Sequence, residues 1–231
     1  MKMLRSVVIA ATATLLFSMS FSTALAKDEP KNLGNAVRVI KEFSAIKKER
    51  IPPELLKNAN GIAIIPGARK NDFMVSGRSV SGVLLVYETD GKWSSPVFIS
   101  LSGGTLGWQM VGEPMDIVLV FKNTKRIDDI TKGKLTMDIK VSVVPGPLGK
   151  TMKAATKEEQ KAEINSYVRS HNAFANVSVA SATIHIDTAS NDLFYGKQKI
   201  DVGDILSGKA EKSSDDVKKL QKFLAEYAAS K

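Results

Sequence analysis

The sequence predicts an α+β fold: a curved antiparallel sheet, with closure into a barrel left open, flanked by helices at the two ends of the chain. Three observations predict it. Apolar residues recur at helical spacing near both ends, whereas the middle is broken by glycine into short apolar runs. There is no regular alternation of strand and helix, which argues against a doubly wound sheet. Glycine-rich short strands favour strong curvature.

The elements follow in order. The first 26 residues read as an export leader, with Lys2 and Arg5 ahead of the apolar run Val7–Phe17 and a small-x-small site at Ala24-Leu25-Ala26. A retained anchor is the alternative, since Ser6–Ala26 is uncharged and nearly long enough to span a bilayer. The A-L-A ending favours cleavage, which leaves residues 27–231 as one domain, periplasmic or extracellular. Leu33, Val37, Ile40, Phe43 and Ile46 make residues 32–49 an amphipathic helix, stopped by Pro52-Pro53. A short helix then runs from Glu54 to Asn58.

Ile62–Ile65 is a strand closed by Pro66-Gly67. Gly82–Glu88 and Pro96–Leu101 are partners across an Asp90-Gly91 hairpin turn. Asp116–Phe121 is a core strand, and Thr124–Thr131 has room for two helical turns. From Lys134 to Val143 apolar and polar residues alternate strictly, as in one half-solvated strand. Residues 156–163 suit an exposed loop or short helix. Ile164–Arg169 and Val177–Asp187 read as strands, with a phase slip between Val179 and Ile184 that signals a β-bulge. Short helices follow at Ser190–Tyr195 and Val202–Leu206. A last helix, capped by Ser213 or Ser214, carries Val217, Leu220, Leu224 and Tyr227 on one face.

Composition narrows the chemistry. The chain has no cysteine, hence no disulfide and no thiolate nucleophile. Net charge is +9, and losing Lys2 and Arg5 with the leader brings it to +7, a balance that suits anionic partners. In an exported protein nucleic acid is the least available of these. His171 and His185 are the only histidines, and neither H-E-x-x-H nor G-x-S-x-G occurs. Gly149-Lys150-Thr151 imitates the end of a phosphate-binding loop, but the glycine required five residues earlier is Val144. Asp187, Asn191 and Asp192 lack the alternating spacing of a calcium loop, so helix capping explains them better. Trp93 reads as a core residue, and Trp108 as either a core residue or an interfacial anchor.

Several motifs stand in a shared order: Gly61-Ile-Ala-Ile-Ile-Pro-Gly67, Gly82-Val-Leu-Leu-Val86, the run Asp90–Gln109 with Ser102-Gly-Gly-Thr-Leu-Gly-Trp108, Asp116–Asn123, Gly133–Thr136, Gly146-Pro-Leu-Gly149 and Phe194-Tyr-Gly196. This series resembles the SYLF domain family, lipid-binding modules that include eukaryotic actin regulators and bacterial exported proteins. The chain departs from that pattern at Met74–Val80 and Asn172–Asn176, where side chains replace glycines. The resemblance implies non-enzymatic binding of anionic phospholipid or a membrane surface, with no cofactor. Actin binding is not carried over to a chain with a bacterial-type leader. The alternative is an envelope structural or stress-related protein that binds protein or polysaccharide. The candidate lipid-binding residues are Arg38, Lys41, Lys47, Lys48, Arg50, Arg69, Lys70 and Trp108, with no catalytic or metal site. Residues 31–57 hold seven basic and three acidic side chains. At about 1 kcal/mol per net charge this supplies roughly 4 kcal/mol near an anionic surface, about millimolar affinity. Apolar insertion by Phe43, Ile46, Ile51 or a tryptophan would have to add the rest.

Mass spectrometry of the exported protein should find its N-terminus at Lys27; an intact Met1 with recovery only in detergent would refute cleavage.

Overall fold

The computed structural model describes residues 29–45, 50–69, 72, 78–106, 113–137, 141, 143–149, 152–170, 173–175, 179–210 and 212–230. Helices α1 (Glu29–Ala45) and α2 (Pro53–Lys57) precede strands β1 (Gly61–Ala68), β2 (Ser79–Val86), β3 (Val97–Leu106) and β4 (Met115–Phe121). Then come α3 (Thr124–Thr131), β5 (Lys134–Thr136), β6 (Val143–Pro145), α4 (Lys157–Lys161), β7 (Ile164–Ser170), β8 (Ala173–Ala175) and β9 (Val179–Ile186). Helices α5 (Thr188–Tyr195), α6 (Val202–Leu206) and α7 (Asp215–Ala229) complete the described chain.

All nine described strands join one sheet, in the order β5-β9-β3-β2-β1-β4-β7-β6, with β8 beside β7. The sheet separates two apolar cores. Its concave side holds Ala63, Ile65, Leu84, Ile99, Ile117, Leu119 and Ile184, with Ile127 and Ile130 of α3. Its convex side packs Ile62, Ile64, Val83, Leu85, Phe98, Val118 and Val120 against α1, α2 and α7. Central strands are therefore buried on both faces, which is why β1 and β4 read as continuous apolar runs. In β2 the burial changes along the strand: Ser79 and Ser81 are exposed, whereas Gly82–Leu85 is buried throughout. The covering layer ends between them.

The α+β reading holds, and the sheet is an open half-barrel. The two ends of its hydrogen-bonded path, β5 and β6, follow each other in sequence. Here the single strand expected over Lys134–Val143 is corrected. Its first part pairs antiparallel with β9, and Val143–Pro145 pairs parallel with β7 at the opposite edge. Alternation fixed which side chains face the core, since Leu135, Met137 and Val141 are buried there. It carried no information on the pairing partner.

The expected bulge is present. Met137 faces two residues of β9: its amide donates to the Ala182 carbonyl (2.8 Å) and its carbonyl accepts from Ser181 (2.6 Å). Ser181 sits at φ 57°, the left-handed region. Across β9, Gly103 of β3 sits at φ 63°. Because both strands bend, their register is unbroken from Ile99↔Ile186 to Leu106↔Val179.

Two turns differ from expectation. Strand β1 continues through Pro66-Gly67 with a register shift before Ala68. The β2–β3 hairpin uses a four-residue turn, with the Gly91 amide donating to Glu88 O (3.0 Å) and Gly91 at φ 84°, inside the Tyr87↔Trp93 bridge. Other elements match: α4 carries a capping box between Thr156 and Glu159, and Ser214 caps α7 through the Val217 amide. Gly146 has a steric role, because a Cβ there would lie within 2.1 Å of the Tyr167 ring.

Gly103→Val, forced to a positive φ, and Gly146→Ala, forced into Tyr167, should each lower unfolding stability by more than about 1 kcal/mol in urea titrations. Ser181→Gly should hold stability or raise it by up to about 1 kcal/mol. Unchanged midpoints for the first two would show that these corners adapt freely.

Candidate functional site

Antiparallel register gathers strand ends at one rim of the half-barrel: Ala68 pairs with Met115, Met115 with Ser170, and Ser79 with Ser102. Arg69 and Arg78, both exposed, flank the β1 and β2 ends there. The middle of α1 is fastened at the same rim. The Arg38 guanidinium donates to both Asp116 oxygens, at 3.0 and 3.2 Å, and Asp116 also accepts from the Gly67 amide at 2.9 Å. Arg38 meets Glu42 at 3.0 Å, and Glu42 meets Arg169 of β7 at 2.6 Å. Hydrogen bonding from Asp116, ahead of the Glu42 contact, pushes the Arg38 pKa further above its usual value, so its charge is permanent. Two arginines and two carboxylates make this clasp neutral.

Arg38, a candidate on the polar face of the first helix, is paired in this clasp with Asp116 and Glu42. Insertion by Phe43 or Ile51 is corrected. Both are fully buried, as are Leu33, Val39 and Ile40, against the sheet and α7. Releasing five such side chains at about 2 kcal/mol each costs on the order of 10 kcal/mol, more than the roughly 4 kcal/mol from charge.

The other candidates divide. Lys41, one turn beyond Arg38, is exposed and enters no ion pair among the described residues. Arg50 stands apart from the rim; its carbonyl accepts from the Gly149 amide at 2.9 Å, and its charge acts on Tyr227. Lys47, Lys48, Lys70 and Trp108 lie outside the described residues, as does Ile46. Trp93 is a core residue, 4% exposed, in edge contact with Tyr87. The structure thus brings Arg38, Lys41 and Arg69 together and leaves Arg50 elsewhere.

Remaining polar groups are occupied in the fold. Asp187 caps α5 through the Ser190 amide, and Asp192 accepts from the Lys199 and Ile200 amides at 2.7 and 2.9 Å. Buried Asn191 accepts from Phe98 N and donates to Phe98 O, completing the start of β3. Lys122 donates to the carbonyls of Glu159 and Gln160 at the end of α4, and burial pushes its ammonium pKa down. Desolvation pushes the phenols of Tyr167, Tyr195 and Tyr227 well above their ordinary value. Among the described residues no group of His, Asp and Glu could hold a metal ion, and no helix is long and apolar enough to cross a membrane.

Sequence reasoning missed Asp116, Glu42 and Arg169 as a unit. The available signal was polarity out of place, since Asp116 interrupts the otherwise apolar β4 and faces Arg169 on the buried β7. Asp116→Ala removes the acceptor for Gly67 and Arg38 together. It should lower stability by about 1–3 kcal/mol in a urea titration, whereas Lys41→Ala should change it by less than about 0.5 kcal/mol.

Comparison with known proteins adds relatives to this geometry. Residues 102–227 match the Ysc84 family, described as Las17-binding protein actin regulator. SH3 domain-containing YSC84-like protein 1 of Xenopus laevis is 29% identical over 189 residues, 78% of this chain and 56% of that protein. LAS seventeen-binding protein 3 of Saccharomyces cerevisiae is 34% identical over 173 residues, 74% of this chain and 37% of its own length. Protein YSC84 of the same yeast is 35% identical over 149 residues, 63% of this chain and 32% of that protein. The chain spans about half of the frog relative and about a third of the yeast ones.

Proposed function

The chain belongs to the Ysc84 family of SYLF-domain proteins, a family of actin-regulating, lipid-binding modules, and on that premise we propose that it binds anionic phospholipid surfaces without catalysing a reaction. One observation supports this reading above the others. Lys41, Arg69 and Arg78 come from separate segments, are all exposed, and converge on the rim where α1 is clasped to the sheet. The proposal takes residues 1–26 as an export leader, with the contact in the periplasm or outside the cell. The actin regulation in the description of the family is not part of it.

The physics sets the character of this binding. With the stripe of α1 committed to the core, the described rim offers charge and little apolar area. Three cations at about 1 kcal/mol each give roughly 3 kcal/mol, weaker than millimolar for one molecule. Adsorption through this rim is therefore salt-sensitive, screened over about 8 Å at physiological ionic strength. Arg38 contributes nothing to it, because its partners travel with it.

Co-sedimentation with phosphatidylglycerol vesicles at low salt should fall at least about tenfold for Lys41→Glu combined with Arg69→Glu, about 1.4 kcal/mol, with an unchanged melting temperature. Vesicles of neutral lipid should recover neither protein. Equal recovery of wild type and the double variant on anionic vesicles would refute the rim as the contact.

A further inference from the structure

On the convex side, the half of β2, β3, β9 and β5 nearest the rim is left bare by the helical layer. Beyond buried Val83 and Phe98, the outward positions become Ser81 and Ser79 on β2, and Ser100 and Ser102 on β3. Register continues them across four strands as two rows: Ser79, Ser102, Thr183 and Thr136, then Ser81, Ser100, His185 and Lys134. None of the eight is buried. With strands about 4.8 Å apart, each row runs about 14 Å. The Thr136 and Thr183 hydroxyls are 3.2 Å apart, as adjacent members of one ladder. The eight positions carry no carboxylate and no phenyl, phenol or indole ring.

At the β5 edge the rows run into a groove of about 690 Å³, lined by Arg126, Asp129, Lys132, Lys134, Thr136 and His185. Its charges divide cleanly. Arg126 is held by Glu163 at 2.9 Å and by Asp129 at 3.0 Å, so the groove's one carboxylate is matched. Lys132 and Lys134 are exposed and enter no ion pair among the described residues. The surface thus combines uncompensated cations with hydroxyls that both donate and accept.

We propose that this face binds an acidic saccharide, with a carboxylate or sulfate at Lys132, Lys134 and His185 and ring hydroxyls on the serine and threonine rows. Charge complementarity selects an anion. Among the described residues of this face no tyrosine or tryptophan forms a stacking platform, which disfavours a neutral sugar, and the aliphatic side chains at the groove, Leu135 and Val141, are buried, which disfavours a protein partner. Short side chains flush with a strand face offer a bilayer nothing to insert. The groove at the β5 edge lies apart from the cationic rim, which the rows reach only at Ser79 and Ser102, and the proposal stands whether or not that rim meets lipid.

Titration of fluorescent oligogalacturonate and of a heparin-derived oligosaccharide, at physiological salt, tests it. Wild type should bind at least one of these and not a maltooligosaccharide of equal length. Lys134→Ala with His185→Ala should weaken binding about tenfold or more, and Ser100→Ala with Ser102→Ala severalfold, with unchanged melting. Lys218→Ala with Lys222→Ala, on exposed α7 positions, should change nothing and so control for bulk charge. Vesicle co-sedimentation should be the same for all three variants, which separates this site from the rim. The proposal is overturned if wild type binds neither acidic probe, if the Lys134/His185 variant binds as wild type does, or if the α7 control loses as much.

Discussion

One sheet has to serve two apolar cores, and the rest of the molecule follows from that constraint. A strand buried on both faces cannot alternate, so β1 and β4 spend nearly every position on packing. Curling such a sheet over its concave core bends β3 and β9 where the backbone takes a positive φ, at Gly103 and at Ser181, the neighbour of Gly103's partner Ala182. The segment from Lys134 to Pro145 then lies along both free edges without joining them, which leaves a half-barrel and not a cylinder.

The convex core also decides what α1 can do. A free amphipathic helix could lay its stripe into a membrane, and the sequence alone permits that. In the fold Leu33, Val37, Ile40 and Phe43 are already buried, and α7 packs along them through Val217, Leu220 and Leu224. The Arg38–Asp116 pair adds direction to this packing. Burial sets how strongly the helix docks, whereas a bidentate fork ties it to one position along β4. Cations left over after such fastening are the ones free to act, and Lys41 is the one described on this helix.

Much of the fold was legible because its signals are local. Helix α3 was readable from length and flanks, α7 from spacing and its Ser214 cap, and the β9 bulge from a slip in phase at Ser181. The pairing of Lys134–Val143 was not readable, because alternation reports faces and is silent about neighbours. The cluster Arg38, Glu42, Asp116 and Arg169 was hidden for a related reason. Its members lie up to 131 residues apart in number, and nothing short of register places Asp116 opposite Arg169. Among the candidate residues, exposure separated Lys41 and Arg69 from Arg38, whereas charge counting had treated them alike.

The same boundary explains both surfaces. The helical layer covers the convex face from the hairpin end up to Val83 and Phe98, and stops. Beneath it the outward positions of β1, β2 and β3 are apolar. Beyond it the outward positions are Ser79, Ser81, Ser100, Ser102, Thr183 and His185, although the inward positions stay apolar through Leu101 and Ala182. Solubility alone would be met by any polar residue, and lysine or glutamate would blunt an exposed sheet more strongly. Short hydroxyls instead keep the face low, regular and able to donate and accept at once, and the cations are confined to its edge. A surface with that composition is suited to exchanging hydrogen bonds with something flat and hydroxylated, whereas the rim cations suit a diffuse charged plane. The fold therefore supports two kinds of contact because its helices cover only part of one face.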